Sequence, residues 1–145
     1  MTGDGIVLTE NELRLMSLFS TFTGISPRDC VIDDKFDRVI FVVDEGTKLP
    51  NDKIGREAVN YMRRKVNRDV EVVEYSDDPA KLVANALGGR GILEVKIVTR
   101  GGSKMAIVSA DPKEKGRVVG KQGRNAERAR LLAKRYHGID RVQIT

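Results

Sequence analysis

One order of elements is written twice along this chain, and that repetition limits what it can fold into more than any single residue does. Helical spacing, two β-branched stretches, a loop, a second helical stretch and a last β-branched stretch fill residues 10–75 and recur over 79–144. Asp44 stands opposite Asp111 and Ala58 opposite Ala126, offsets of 67 and 68 residues, which points to duplication of a unit of roughly 70 residues. Such a unit is an α+β fold: a three-stranded sheet covered by helices on one face, with the other face expected to be at least partly wet.

Local chemistry places the elements. Thr9 stands three residues ahead of Glu12, a capping box that opens a helix over 10–23, closed by Gly24. Its expected buried side is Leu13, Leu15, Met16, Phe19 and Phe22. Residues 30–32 and 38–43 are apolar and β-branched on either side of the turn-forming Asp33-Asp34-Lys35, and read as an antiparallel hairpin. A loop with Gly46, Pro50 and Asn51 leads to a helix over 53–66, where Ile54, Ala58, Tyr61, Met62 and Val66 share a face, and then to an alternating strand over 70–75. Asp78 before Pro79 caps the next helix, 79–87, which Gly88-Gly89 stops. The domain boundary is expected here, dividing 1–77 from 78–145. In the second unit, strands 92–98 and 104–109 flank Gly101-Gly102, and a short helix runs over 112–119. A longer helix over 124–137 buries Ala126, Ala129, Leu132, Ala133 and Tyr136, and a strand over 141–144 closes the unit.

Charge is divided unevenly between the halves. Residues 1–78 hold 11 Lys+Arg against 16 Asp+Glu, a net −5, whereas residues 79–145 hold 15 against 5, a net +10. The second half therefore carries either the footprint of a polyanion partner or a merely solvated basic face, and most of the first carries no such footprint. No apolar run is long enough to span a bilayer and the first residues lack a signal-peptide pattern, so the expected compartment is the cytoplasm. Cys30 is the only cysteine, which excludes an intramolecular disulfide and leaves a buried structural thiol. His137 is the only histidine, and neither a nucleophile–base set nor a nucleotide-binding loop is visible, so a non-enzyme is expected. Asp33, Asp34 and Asp37 fit turn chemistry, with a metal-dependent nuclease as the competing reading.

The basic half gathers its chemistry in one stretch, Lys115-Gly116-Arg117-Val118-Val119-Gly120-Lys121-Gln122-Gly123-Arg124-Asn125. Counting Lys113, it carries five basic side chains and no acid after Glu114. Paired glycines allow close approach to the main chain, and a helix starting just after Gly123 aims free N–H groups at the same place, where phosphate is attracted. Aromatic residues are only 5% of the chain and tryptophan is absent, so an aromatic stacking platform is not expected.

The stretch Val118 to Asn125, set between two helices in this order of elements, resembles the Gly-x-x-Gly signature of a KH domain. A helix preceding the strands resembles the type II arrangement, so the chain reads as two tandem type II KH domains. With the junction Tyr75-Ser76-Asp77-Asp78-Pro79, the pair resembles the KH region of the NusA family, and the length is similar to its short archaeal members. This resemblance covers nearly the whole chain. It implies a transcription factor for elongation or termination that binds single-stranded RNA, with RNA polymerase or the elongation complex as a protein partner and no cofactor. By resemblance, Gly120, Lys121, Gln122 and Gly123 grip the sugar-phosphate backbone beside a groove for about four bases. Arg117, Arg124, Asn125 and Arg128 extend the track, Lys115 and Lys113 flank it, and Val119 with Val118 floors the groove or belongs to the core.

The first unit departs from that pattern. Asn51-Asp52-Lys53-Ile54-Gly55-Arg56 has one glycine and an acid where the loop is expected, so this unit should lack the clamp. Arg63, Arg64 and Lys65 then either touch RNA from their helix or form a solvated face. Two other readings share the architecture: a ribosome-assembly or translation factor, and a module whose acidic half docks to RNA polymerase or a ribosomal protein.

Overall fold

A computed structural model describes residues 6–47 and 53–145. The chain divides into two compact units, Met1–Tyr75 and Ser76–Thr145. Ser76 belongs with the second because its Oγ accepts from Asp78 N at 3.1 Å and its carbonyl oxygen lies 3.0 Å from His137 Nε2. His137 is thereby tied into the fold at the end of its helix.

In the first unit, helix α1 (Glu10–Thr23) begins with the complete capping box: Thr9 Oγ1 accepts from Glu12 N and Glu12 Oε1 accepts from Thr9 N at 2.7 Å. A cap of this kind stabilises a helix by about 1 kcal/mol. Gly24 ends it with φ 73°, its N–H donating to Ser20 O. Strands β1 (Asp29–Asp33) and β2 (Arg38–Val43) pair antiparallel, helix α2 (Lys53–Val66) follows, and β3 (Asp69–Glu74) pairs parallel with β2, giving the order β1-β2-β3. Phe19, Cys30, Val39, Phe41, Val43, Met62 and Val70 form the core, and the Phe19 and Phe41 rings stack at 4.4 Å between centroids. Leu13 does not join them. It is 50% exposed, about 120° around the helix from Phe19, while Leu18 packs on the core instead.

Sheet exposure also departs from the sequence-based expectation in this unit. All six residues of β2 are buried, including Arg38, Ile40 and Val42 on the face away from the core cluster. Arg-Val-Ile-Phe-Val-Val does not alternate, and an unbroken apolar run belongs to a strand covered on both faces. Arg38 is tolerated there because Nε donates to Asp33 Oδ2 at 2.8 Å and Nη1 to Glu71 Oε1 at 2.9 Å. Asp34 and Asp37 both pair with Arg68, so the three aspartates serve ion pairs at a turn, and Asp37 closes that turn with φ 51°.

The second unit repeats the order. Helix α3 (Pro79–Ala86), capped by Asp78, precedes strands β4 (Ile92–Arg100) and β5 (Ser103–Ala110). Both are longer than the sequence suggested, and Gly101 and Gly102 join them with φ 59° and 85°, a turn with two left-handed positions. Helix α4 (Lys115–Val119) starts three residues later than expected. Asp111 Oδ1 accepts from Lys113 N and Asp111 O from Glu114 N, which spends 112–114 on a turn. Helix α5 (Arg124–His137) and strand β6 (Arg141–Ile144) complete the sheet in the order β4-β5-β6, with β6 parallel to β5. Ala106 and Val108 of β5 are buried on one face with Ala129, Leu132 and Ala133 of α5, whereas Ala126 and Tyr136 are only half-buried. Lys96 and Gln143 lie exposed beside Ile107 on the opposite face, so this sheet is partly wet. Among the described residues, no helix is long and apolar enough to cross a membrane.

Candidate nucleic-acid interface

The turn between α4 and α5 is built by its two glycines in different ways. Gly120 ends α4 with φ 83° and ψ 163°, a region open in practice only to glycine, and its N–H donates to Gly116 O. A Cβ at Gly120 would lie 2.8 Å from both Asn125 Cγ and Asn125 N, so this glycine lets the start of α5 close against the end of α4. The sequence assigned both glycines to ligand access; at Gly120 the closest neighbour is the protein itself. Gly123 has φ 81° and open space where its Cβ would be, and this position is the one free to admit a ligand atom. Its N–H donates to Gly120 O at 3.0 Å, which folds Lys121–Gly123 into one 3-10 turn.

That geometry presents two side chains outward. Lys121 and Gln122 are exposed, and Gln122 takes the left-handed conformation at φ 59°. No side chain caps the 3-10 turn or α5, whose N-cap is Gly123. The first N–H groups of a helix have no partner within it, and with the helix dipole they favour an anion. Gly123 N and Arg124 N are already taken by Gly120 O and Lys121 O, so the main-chain donors beside the Lys121 ammonium are those of the residues that follow in the first turn of α5.

The surrounding basic residues sort into two groups. Lys113, Lys115 and Lys121 are exposed and make no ion pair among the described residues. Arg117 is exposed and paired through Nη2 with Glu114 Oε2. Arg124 is half-buried at the first position of α5 and engaged within the fold. Arg128 turns inward: its Nε donates to Ala86 O at 2.7 Å and holds the end of α3. Asn125 Nδ2 donates to Arg117 O at 3.0 Å, locking the turn from the inside. Val118 is buried and Val119 half-buried. Gly91, in the glycine-rich run after α3, packs against Glu114 and Val118, where a Cβ would lie 2.6 Å from Glu114 Cβ; that run was the only sequence signal for the contact.

In the first unit, Asn51 and Asp52 lie outside the described residues, and Lys53 to Arg56 form the first turn of α2. Arg63 is held by Asp69 at 2.8 Å and by Asn60, while Arg64 sits over the Tyr61 ring at 5.7 Å.

The glycine turns offer a direct check. Gly120→Ala is expected to destabilise the protein by about 2–4 kcal/mol, from the inaccessible backbone angles and the overlap with Asn125. Gly123→Asn, in the left-handed region that asparagine accepts, should cost under about 1 kcal/mol. Urea denaturation of the two variants measures the difference; equal losses would contradict the asymmetry.

No protein-family model matches the chain. It is 33% identical over 141 residues to the probable transcription termination protein NusA of Halococcus morrhuae, spanning 96% of this chain and 98% of that protein. The probable transcription termination protein NusA of Methanocaldococcus jannaschii is 30% identical over 137 residues, spanning 94% of this chain and 74% of that protein. The transcription termination/antitermination protein NusA of Mycobacterium tuberculosis matches 79 residues at 29% identity, 54% of this chain and 22% of that longer protein. Among solved structures, the crystal structure of APE1850 superposes with a TM-score of 0.82 at 33% identity and covers 95% of this chain and 100% of that one. Two relatives at 30% identity or above, aligned over more than nine-tenths of this sequence, place it: the chain belongs to the archaeal family of probable transcription termination proteins NusA.

Proposed function

We propose that this chain is a non-enzymatic NusA-type transcription factor that acts on elongation or termination by gripping single-stranded RNA in the Gly120–Gly123 turn. In this reading the two units, Met1–Tyr75 and Ser76–Thr145, are tandem type II KH domains, and only the second retains the backbone clamp. The observation that carries it is the uncapped start of α5 behind an open Gly123, with Lys121 and Gln122 exposed beside it. Phosphate oxygens meet main-chain N–H groups there, and Lys121 supplies charge on a flexible stem. Arg117 and Lys115 add a basic approach, while Arg128 has its Nε committed to the end of α3. The division of charge fits the same reading, since the turn belongs to the half, 79–145, that carries the net +10.

Affinity then rests on phosphate contacts more than on stacking and falls with salt. For about four neutralised phosphates on a single strand, the log–log dependence of the binding constant on salt has a slope near −3. Fluorescence anisotropy of a labelled oligonucleotide between low and high potassium chloride measures it. A flat response sinks the clamp.

A further inference from the structure

The first unit holds an apolar groove of about 750 Å3 between α1 and the last turn of α2. Its floor is aliphatic: Leu15 and Leu18 of α1, Ile32 of β1, Val39 of β2 and Val66 of α2, with Val39 buried and the others half-buried. One wall is the side of α1 that runs from Asn11 to Thr21, a rise of about 15 Å. That wall is low, because Thr21 Oγ1 folds back to donate to Ser17 O at 3.0 Å.

Three cations stand around the floor. Arg14 and Lys65 are exposed and make no ion pair among the described residues, and Arg14 Nη2 donates along its own helix to Asn11 Oδ1 at 2.8 Å. Arg68 is half-buried, with Nη2 on Asp34 at 3.1 Å and Nε on Asp37 at 3.2 Å. Among the described residues of the lining, Asp34 is the one acid, so three positive charges face one negative. This reverses the sign of the half it belongs to, since residues 1–78 carry a net −5.

An aliphatic floor under a cationic rim matches a short acidic segment with aliphatic side chains, which lays its apolar face into the groove and sets its carboxylates against the rim. The length of the α1 wall takes about three turns of helix, enough for two or three aliphatic anchors at helical spacing. Single-stranded RNA is matched less well. The described lining has no aromatic ring to stack on a base, and the net −5 of this half opposes an extended polyanion, whereas a few carboxylates need only the local cations. We propose that this groove docks an acidic, amphipathic segment of a partner protein, with Leu15, Leu18 and Val66 taking its aliphatic side chains and Arg14 and Lys65 its carboxylates. The proposal stands independently of the RNA clamp.

The test uses the full chain, isotope-labelled for amide NMR, and a peptide of about twelve residues with leucines at helical spacing and glutamates between them. One control peptide replaces every glutamate by lysine, another every leucine by serine. The acidic amphipathic peptide should bind with a dissociation constant below about 1 mM and shift the amides of α1, Ile32 and Val66. Both controls should bind at least about tenfold more weakly. Arg14→Glu combined with Lys65→Glu, at two exposed positions, should weaken the acidic peptide about tenfold and strengthen the lysine peptide, with a spectrum that remains that of the folded chain. No binding, equal binding of the lysine peptide, undiminished binding in the folded double variant, or amide shifts outside the groove would each overturn the proposal. So would an oligoadenylate that shifts the groove amides more than the peptide does, which assigns the groove to RNA, or shifts produced by raising the protein concentration alone, which assign it to a second copy.

Discussion

Replacing Lys121 and Gln122 together by aspartate lowers single-stranded RNA affinity by about 30- to 100-fold while leaving the fold intact. The expected loss is roughly 2–2.7 kcal/mol, the size of one charge-assisted contact removed and two carboxylates set against phosphate. Both positions are exposed, so no packing is lost. Gln122 sits in the left-handed region, which aspartate occupies more readily than glutamine. Anisotropy with short RNAs gives the affinity and thermal melting gives the fold. A folded variant with undiminished affinity removes the turn from the interface.

The largest loss of stability is expected in the first unit, from Arg38→Met. Arg38 is fully buried and serves two carboxylates at 2.8 and 2.9 Å, on side chains that are themselves only 5% and 14% exposed. Removing the guanidinium takes the Arg38 ion pair from both carboxylates, which costs about 3–5 kcal/mol in comparable buried pairs. Neutralising the partners as well, in Arg38→Met with Asp33→Asn and Glu71→Gln, should recover more than half of the loss. The asparagine keeps an oxygen for Lys35 N, which Asp33 Oδ1 now accepts at 3.1 Å. Urea denaturation reads both variants. A single-variant loss below about 1 kcal/mol would mean that water screens the trio.

Much of the architecture was legible before any coordinates because its causes are local. The capping box at Thr9 and Glu12, Pro79 after Asp78, the Gly101-Gly102 turn and the glycines at 24 and 138 act over a few residues, and these set element order and most boundaries. The start of α4 was misplaced for the same kind of reason. Asp111 competes for the backbone of 113 and 114, and Pro112 alone does not show which turn wins. The glycine turn itself was visible as a basic stretch with paired glycines.

Which residues of that stretch face outward was not visible. Arg128 and Lys121 look alike in a list of cations, yet the packing of α5 on α3 turns one onto Ala86 O and leaves the other exposed. Gly120 and Gly123 look equivalent, and only the approach of Asn125 separates a glycine needed for closure from one open to a ligand. Gly91 comes against Glu114 and Val118 across the whole β4–β5 hairpin that separates them in the chain. The sequence by itself determined the duplicated unit, its elements and the basic turn, because those follow from short-range periodicity, capping and charge. Tertiary structure alone decided the burial of both faces of β2, the inward turn of Arg128 and the approach of Gly91 to Val118, because each depends on atoms brought together by packing between distant elements.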